Sequence, residues 1–291
     1  MHRIFIFTLG IVLIISRGAD ASSIGYAKVA AGSTVAHVVT VDLSDPEVKM
    51  TVALARGGVG KSEPFKSIVG RTRPVAAITG TFYDTKTYVP TGDIALFGTV
   101  VHAGCVGSAL CIDASNKASI APPRGTCKDR WAGYETVLCA GPTLIAGGRV
   151  AIALKHEGFR RSLLASTRRT AVGITHSGKL LLVAVNRKAS LYAVAKLMLK
   201  LGVVDALSLD GGSSTGFYSQ GNYLAVPSRK MTNCLMVYSN ARAYQTAKAE
   251  LAPAKLFAKA DSPILALGLT LPDGALLPPY DQTRPMLEAR Q

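Results

Sequence analysis

The sequence predicts an α+β fold: a mixed, largely antiparallel sheet with a few packed helices, in a single domain. Three observations lead there. Short stretches of alternating apolar and polar residues recur along the chain and are separated by turn residues. Strong helical segments are few, the clearest being one amphipathic stretch. That segment lies in a β-β-α-β arrangement, which argues against a repeated parallel βαβ series.

Taken in order, residues 1–21 read as a signal peptide, with a basic start at His2 and Arg3, an apolar run Ile4–Ile15 and a small-x-small site at Ala19-Asp20-Ala21. The run is shorter than the ~20 residues that cross a bilayer, so the expectation is a secreted or periplasmic protein without stable membrane insertion. Thr34–Leu43 and Val48–Ala55 alternate around Ser44-Asp45-Pro46 and predict a hairpin. Pro74–Thr79 is a short apolar strand ending at Gly80. Ile94–Phe97 and Thr99–His102 flank Gly98, where a tight bend or bulge fits. Ala109–Asp113 and Ala118–Ala121 form a second expected hairpin across Ser115-Asn116.

The clearest architecture follows. Thr170–Thr175 and Leu180–Val185 are joined through Ser177-Gly178. Ser190 can cap a helix whose apolar positions Leu191, Val194, Leu197, Met198 and Leu201 fall on one face, and Gly202 can end it. The strand Ala206–Leu209 then runs into Asp210-Gly-Gly-Ser-Ser214. Beyond Asn240, Pro253, Pro263, Pro272, Pro278, Pro279 and Pro285 break every apolar run, so residues 22–240 are read as the domain and 241–291 as a Pro-containing tail.

The formal net charge is +15, and loss of Arg3, Arg17 and Asp20 with the signal lowers it by one. Such a field attracts anions. The basic residues are scattered with little aromatic interleaving and no nucleic-acid motif, which excludes a nucleic-acid partner from this reading. Five cysteines, Cys105, Cys111, Cys127, Cys139 and Cys234, predict at least one disulfide among the first four in an oxidising compartment, with the pairing open. Cys234, inside an apolar stretch, reads as a buried inert thiol. No spacing indicates a metal site, and no phosphate loop, nucleophile elbow or dinucleotide fingerprint is present, so no cofactor is expected.

The chemistry-bearing residues cluster around two strands. Asp210 follows an apolar strand directly and is followed by Gly211, Gly212, Ser213 and Ser214. Two readings of this turn stand side by side: an acid at a cleft with hydroxyls and N–H groups for an oxyanion, or an Asx-type turn that satisfies its own backbone. Arg169 and Thr170 open the first strand of the unit, and a guanidinium matches phosphate or carboxylate in two hydrogen bonds. Glu157 and Asp84 are candidates for a second acid or base, with His176 and His102 behind them.

Three stretches in this order, Ala77-Ile-Thr-Gly-Thr-Phe-Tyr-Asp84, Arg169-Thr-Ala-Val-Gly173 and Leu209-Asp-Gly-Gly-Ser-Ser-Thr215, resemble the phosphodiester glycosidase family. Cys139-Ala-Gly-Pro-Thr-Leu144, with Gly147-Gly148 beyond, resembles the family's Gly-Pro-x-Leu segment, and the whole resemblance spans Thr34 to Tyr238. Where the family commonly reads Asn-Gly-Gly, this chain has Thr79-Gly80-Thr81. The resemblance implies hydrolysis of a sugar 1-phosphodiester to free sugar and phosphomonoester. On that reading Asp210, Glu157 and Asp84 are the catalytic carboxylates, and Arg169, Thr170, Gly211, Gly212, Ser213, Ser214, Thr79 and Gly80 line the substrate, a phosphorylated glycan or sugar 1-phosphodiester. The alternative is a non-catalytic glycan-binding or exopolysaccharide-assembly protein on the same scaffold.

Overall fold

The computed structural model describes residues 22–104, 106–122 and 131–251. The signal reading, Cys105, Cys127 and the prolines of the tail lie outside them. The described strands, in chain order, begin with β1 (Ile24–Ala31), β2 (Thr34–Val41), β3 (Lys49–Leu54), β4 (Ala76–Thr79), β5 (Ile94–Leu96) and β6 (Thr99–His102). They continue with β7 (Ala109–Asp113), β8 (Ala118–Ala121), β9 (Tyr134–Cys139), β10 (Thr143–Ala146), β11 (Arg149–Val150) and β12 (Thr167–Thr175). The last are β13 (Leu180–Ala189), β14 (Val203–Leu209), β15 (Phe217–Ser219), β16 (Asn222–Ala225) and β17 (Asn233–Tyr238). Among the described residues three α-helices accompany them: α1 (Phe65–Thr72), α2 (Leu191–Lys200) and α3 (Ala241–Leu251).

These strands build three antiparallel sheets, ordered β1-β2-β13-β12-β14-β10-β11, β16-β15-β4-β17-β3 and β6-β5-β9-β7-β8. The fold is thus α+β and largely antiparallel, as the alternating pattern predicts. One cluster of buried side chains draws on all three sheets, with Val39, Val172 and Leu207 from the first, Val52, Ile78 and Leu235 from the second, and Ile94, Leu110 and Leu138 from the third. Removing these side chains from water, at roughly 25 cal/mol per Å² of apolar surface, is what holds the sheets face to face.

The helices close the outer faces. Helix α2 forms where expected: the Ser190 hydroxyl accepts from the Ala193 N–H at 3.1 Å, Gly202 takes φ +79° after its last turn, and Leu191, Val194, Leu197 and Met198 cover the first sheet. Helices α1 and α3 cover the second sheet through Phe65, Ile68, Tyr244, Ala247 and Leu251. Helix α3 carries the packed structure eleven residues past the expected end at Asn240. Its Tyr244, Ala247 and Leu251 recur at helical spacing on an alanine-rich run, a signal that the downstream prolines obscured.

The hairpins across Gly98, Asn116 and Gly178 form as read, in registers Leu96↔Thr99, Ile112↔Ala118 and Ile174↔Leu180. The expected hairpin across Ser44-Asp45-Pro46 does not. Strand β2 has β1 on one edge and β13 on the other, so β3 has no free edge there and pairs with β17 in a different sheet. The crossing between sheets is fastened by Asn116, whose Nδ2 donates to the carbonyls of Leu43 and Val48, each at 2.8 Å. Cys111 and Cys139 are buried on one face of the third sheet, and Cys234 is buried in the second, where burial pushes its thiol well above the ordinary range. No helix among the described residues is long and apolar enough to cross a membrane.

Candidate functional site

Antiparallel pairing decides which loops meet. Strand β14 ends at Leu209 opposite Thr170, near the start of β12, so the Asp210 turn and the Arg168-Arg169 pair share one end of the first sheet. Strand β4 ends at Thr79 opposite Cys234, so the Gly80–Asp84 loop lies beside the approach to β17, residues 226–233. The two ends are joined directly: the Asp210 N–H donates to the Gly80 carbonyl at 3.0 Å. Thr79, at the last position of β4, donates through Oγ1 to the Ser214 carbonyl at 2.6 Å and accepts the Gly216 N–H at 2.7 Å. The hydroxyl at position 79 thus locks the turn that follows Asp210.

The two glycines of that turn have separate reasons. A Cβ on Gly211 would stand 2.7 Å from the Arg168 carbonyl oxygen, closer than real contacts allow. Gly212 takes φ +59°, in the left-handed region that glycine enters without steric cost. It opens a short 3-10 turn, Gly212–Ser214. Gly80 is small for a third reason, since Asn233 lies against it: a Cβ there would meet the Asn233 Oδ1 at 1.9 Å, and that oxygen accepts the Thr81 N–H at 2.8 Å.

Asp210 is buried at this junction. Burial pushes its carboxyl up to about 7, against the opposing effects of a hydrogen bond from Ser214, the nearby Arg229 guanidinium and the Gly211 N–H. Its backbone carbonyl accepts the Thr170 hydroxyl at 2.5 Å, so the strand end carrying it is pinned. Tyr83 faces the same group. Its hydroxyl donates to the Lys230 carbonyl at 2.8 Å and interacts with Ser214 and Arg229, while burial and then the Asp210 charge hold its own proton on more firmly than usual. Arg168 stands behind the turn, with Nε donating to the Gly212 carbonyl at 3.0 Å. Two buried hydroxyls of the same loops, Thr81 and Thr215, have no hydrogen-bond partner among the described residues.

The polar groups of the other residues singled out from sequence are engaged by partners other than Asp210. Arg169 is buried, and its guanidinium is engaged by backbone: Nε donates to Ala189 at 3.1 Å, and Nη2 donates to Leu163 at 2.8 Å and to Ala165. Burial lowers it to about 10, so it remains charged at neutral pH. Glu157 is buried and accepts from the Ser108 N–H (3.2 Å), the Ser108 hydroxyl (2.8 Å) and the Thr143 N–H (2.9 Å). Asp84 accepts the N–H groups of Lys86 (2.8 Å) and Thr87 (2.7 Å), and these bonds hold its carboxyl below the usual range. His102 is bound to the Pro90 carbonyl at 2.7 Å, and His176 caps the far end of the first sheet through its N–H to Gly202. Ser213 contributes its carbonyl to the Ser228 N–H at 2.9 Å.

The residues that join Asp210 without having been singled out are Tyr83, Arg229 and Arg168. Tyr83 and Arg168 adjoin positions that sequence reading did select. Arg229, in a loop between two strands, is brought in only by the β4-β17 pairing.

Fold and site define a class: a three-sheet antiparallel α+β protein with a buried acid in an Asp-Gly-Gly-Ser turn, flanked by arginine and tyrosine. The family model described as phosphodiester glycosidase matches residues 72–238, more than half of the sequence, and the chain belongs to that family. The match takes in every motif stretch named above and leaves β1 to β3 ahead of it. No curated protein matches the chain. Among solved structures, the catalytic domain of zebrafish N-acetylglucosamine-1-phosphodiester alpha-N-acetylglucosaminidase, auto-inhibited by its pro-peptide, is similar with TM-score 0.60 and 21% identity over 74% of this chain and 82% of that one. A hypothetical protein from Synechocystis is similar with TM-score 0.60 and 17% identity over 74% of this chain, which spans 61% of that one. A putative exported protein from Burkholderia pseudomallei follows with TM-score 0.52 and 13% identity, covering 70% of this chain and 74% of that one. At these identities the likeness concerns the fold.

Proposed function

We propose that this chain hydrolyses a sugar 1-phosphodiester, releasing the free sugar and a phosphomonoester, with Asp210 as general base. The observation that carries the reading is the buried carboxyl of Asp210, held near 7 beside Arg229, Tyr83 and Ser214. A base is most effective when its proton affinity lies near the working pH, and a carboxylate in water lies too low. Ionised Asp210 takes a proton from water, the water oxygen bonds to the anomeric carbon, and the bond from that carbon to the phosphate oxygen breaks with its electron pair leaving on phosphate. The phosphate, already anionic, needs charge stabilisation more than a proton. Arg229 supplies that in this proposal, with Tyr83 and Ser214 as hydrogen-bonding neighbours. Gly211 and Gly212 shape the turn. Thr170, Thr79 and Gly80 position it, through the two hydroxyls and the Gly80 carbonyl that bind the backbone of residues 210–216, while Arg169 ties Leu163, Ala165 and Ala189 together. Glu157 and Asp84 hold loops.

We place this activity outside the cytoplasm, on the basic-apolar-small pattern of residues 1–21. Support for the substrate class comes from membership of the family. The test is turnover of a panel of sugar 1-phosphodiesters by the purified protein, with simple glycosides and simple phosphodiesters as controls. Hydrolysis confined to the sugar 1-phosphodiesters is the expected result. Turnover of plain glycosides alone, or of nothing in the panel, overturns it.

A further inference from the structure

The hairpin that follows Tyr83 carries a second aromatic residue in an unusual state. Tyr88 takes φ +59°, a left-handed conformation that is a rare and strained choice for a bulky side chain. The residue is more than a third exposed, at 37%. It is also stacked on Tyr83, with ring centroids 6.3 Å apart and planes 30° from parallel. Tyr83 in turn reaches Ser214 and Arg229 beside Asp210. An exposed aromatic face therefore begins one ring away from the buried acid.

The backbone around Tyr88 is fixed rather than loose. The Asp84 N–H donates to Val89 (2.9 Å), the Tyr88 N–H to Asp84 (2.7 Å) and the Thr91 N–H to Phe82 (2.9 Å). The Asp84 carboxylate ties down Lys86 and Thr87, and His102 fastens Pro90. A hairpin bolted at so many points holds its ring in one place at the cost of a strained residue at its tip. Glycine or asparagine would occupy that backbone position with less strain. The ring itself is the feature that distinguishes tyrosine there.

We propose that Tyr88 is a specificity-determining residue: its exposed ring, backed by Tyr83, is a platform on which the apolar C–H face of the substrate's sugar stacks. An aromatic ring is a large, rigid, amphipathic contact that loses little conformational entropy on binding, which suits a sugar with one C–H face and a rim of hydroxyls. The proposal rests on the reading of the site as one for a sugar phosphodiester and divides the labour within it. Arg229 meets the phosphate, and Tyr88 meets the sugar.

The experiment uses Tyr88→Gly and Tyr88→Phe in the full chain. Glycine removes the ring and relieves the backbone, so this variant should melt no lower than the parent and loss of folding does not obscure the result. Binding of methyl α-glycosides of glucose, mannose and N-acetylglucosamine is measured by saturation-transfer NMR and titration. At least one glycoside is expected to bind the parent, with affinity falling about tenfold or more in Tyr88→Gly and changing less than threefold in Tyr88→Phe. No binding to the parent, or binding unchanged in Tyr88→Gly, overturns the proposal. The same variants on sugar 1-phosphodiesters separate the two readings. Parental turnover that is indifferent to Tyr88 removes the platform and leaves the hydrolase. Glycoside binding that depends on Tyr88, without turnover, removes the hydrolase and leaves the platform.

Discussion

Two buried acids, Asp210 just past a strand end and Glu157 at the end of a short 3-10 turn, are treated in opposite ways. Glu157 is surrounded by donors that point at it: two backbone N–H groups and the Ser108 hydroxyl converge on its carboxylate, and its loop is stitched to residues 107–108 and 143. Asp210 has a hydroxyl, a single adjacent N–H and a guanidinium nearby, and burial outweighs them. The difference is one of compensation at two buried carboxyls. Fixed donors that fill its oxygens fasten Glu157 to two loops, whereas at Asp210 burial with incomplete compensation raises the carboxyl to about 7.

The largest expected effect is at Asp210. Replacing it by Asn should lower kcat at least about a thousandfold, the upper range for losing a positioned base, in steady-state assays on a sugar 1-phosphodiester. In the parent, activity should rise with pH through an apparent pKa near 7, because the ionised form is the active one. A rate that falls through that point would assign Asp210 as an acid instead. Stability gives an independent check. Folded Asp210 keeps its proton to higher pH than the unfolded chain does, so the stability it contributes is complete below about pH 4 and is lost as pH rises through about 7. A shift from 3.8 to about 7 corresponds to roughly 4 kcal/mol. Thermal melts should therefore show Asp210→Asn matching the parent near pH 4 and exceeding it at pH 8.

Glu157 provides the counterpart. Glu157→Ala leaves the buried Ser108 N–H and the partly buried Thr143 N–H without their acceptor, which should cost about 2–6 kcal/mol at 1–3 kcal/mol per stranded donor. Denaturant melts measure this. Activity per folded molecule, assayed well below the melting temperature, should stay within about threefold. A hundredfold fall in kcat with the fold intact would make Glu157 a second acid or base and erase the contrast with Asp210.

Several parts of this were legible in the sequence for identifiable reasons. Helix α2 was, because cap, apolar face and terminal glycine agree, and so was the Asp210 turn, because paired glycines after a strand mark a close approach. The β2-β3 relation was not legible: whether two alternating runs form a hairpin depends on who occupies their edges, and β1 and β13 are remote in sequence. The role of Arg169 shows the same limit. A guanidinium before a strand suits phosphate, yet which acceptors it meets depends on the carbonyls of Leu163, Ala165 and Ala189, set by loops packed from elsewhere. Arg229 was missed because nothing local distinguishes it from other surface cations.

The smallest expected effect concerns Asp84, which stands next to Tyr83 and so tests how narrowly reactivity is confined. Its carboxylate accepts two backbone N–H groups in its own turn, and those bonds hold its pKa down, so its stabilising contribution is present above the unfolded value near 3.8 and is lost as pH falls through the folded one. The turn is solvent-facing, and screening keeps the contribution below about 1 kcal/mol. Asp84→Asn retains one acceptor oxygen, so at pH 7 it should lower stability by a few tenths of a kcal/mol and leave kcat within about twofold. What it should move is KM, upward by about two- to threefold, because the hairpin tip that presents Tyr88 loses part of its fastening. A fall in kcat of a hundredfold or more at unchanged KM would place Asp84 beside Asp210 in the chemistry. A change in KM that appears equally in Tyr88→Gly and in the double variant would locate the effect of Asp84 in the ring it helps to hold.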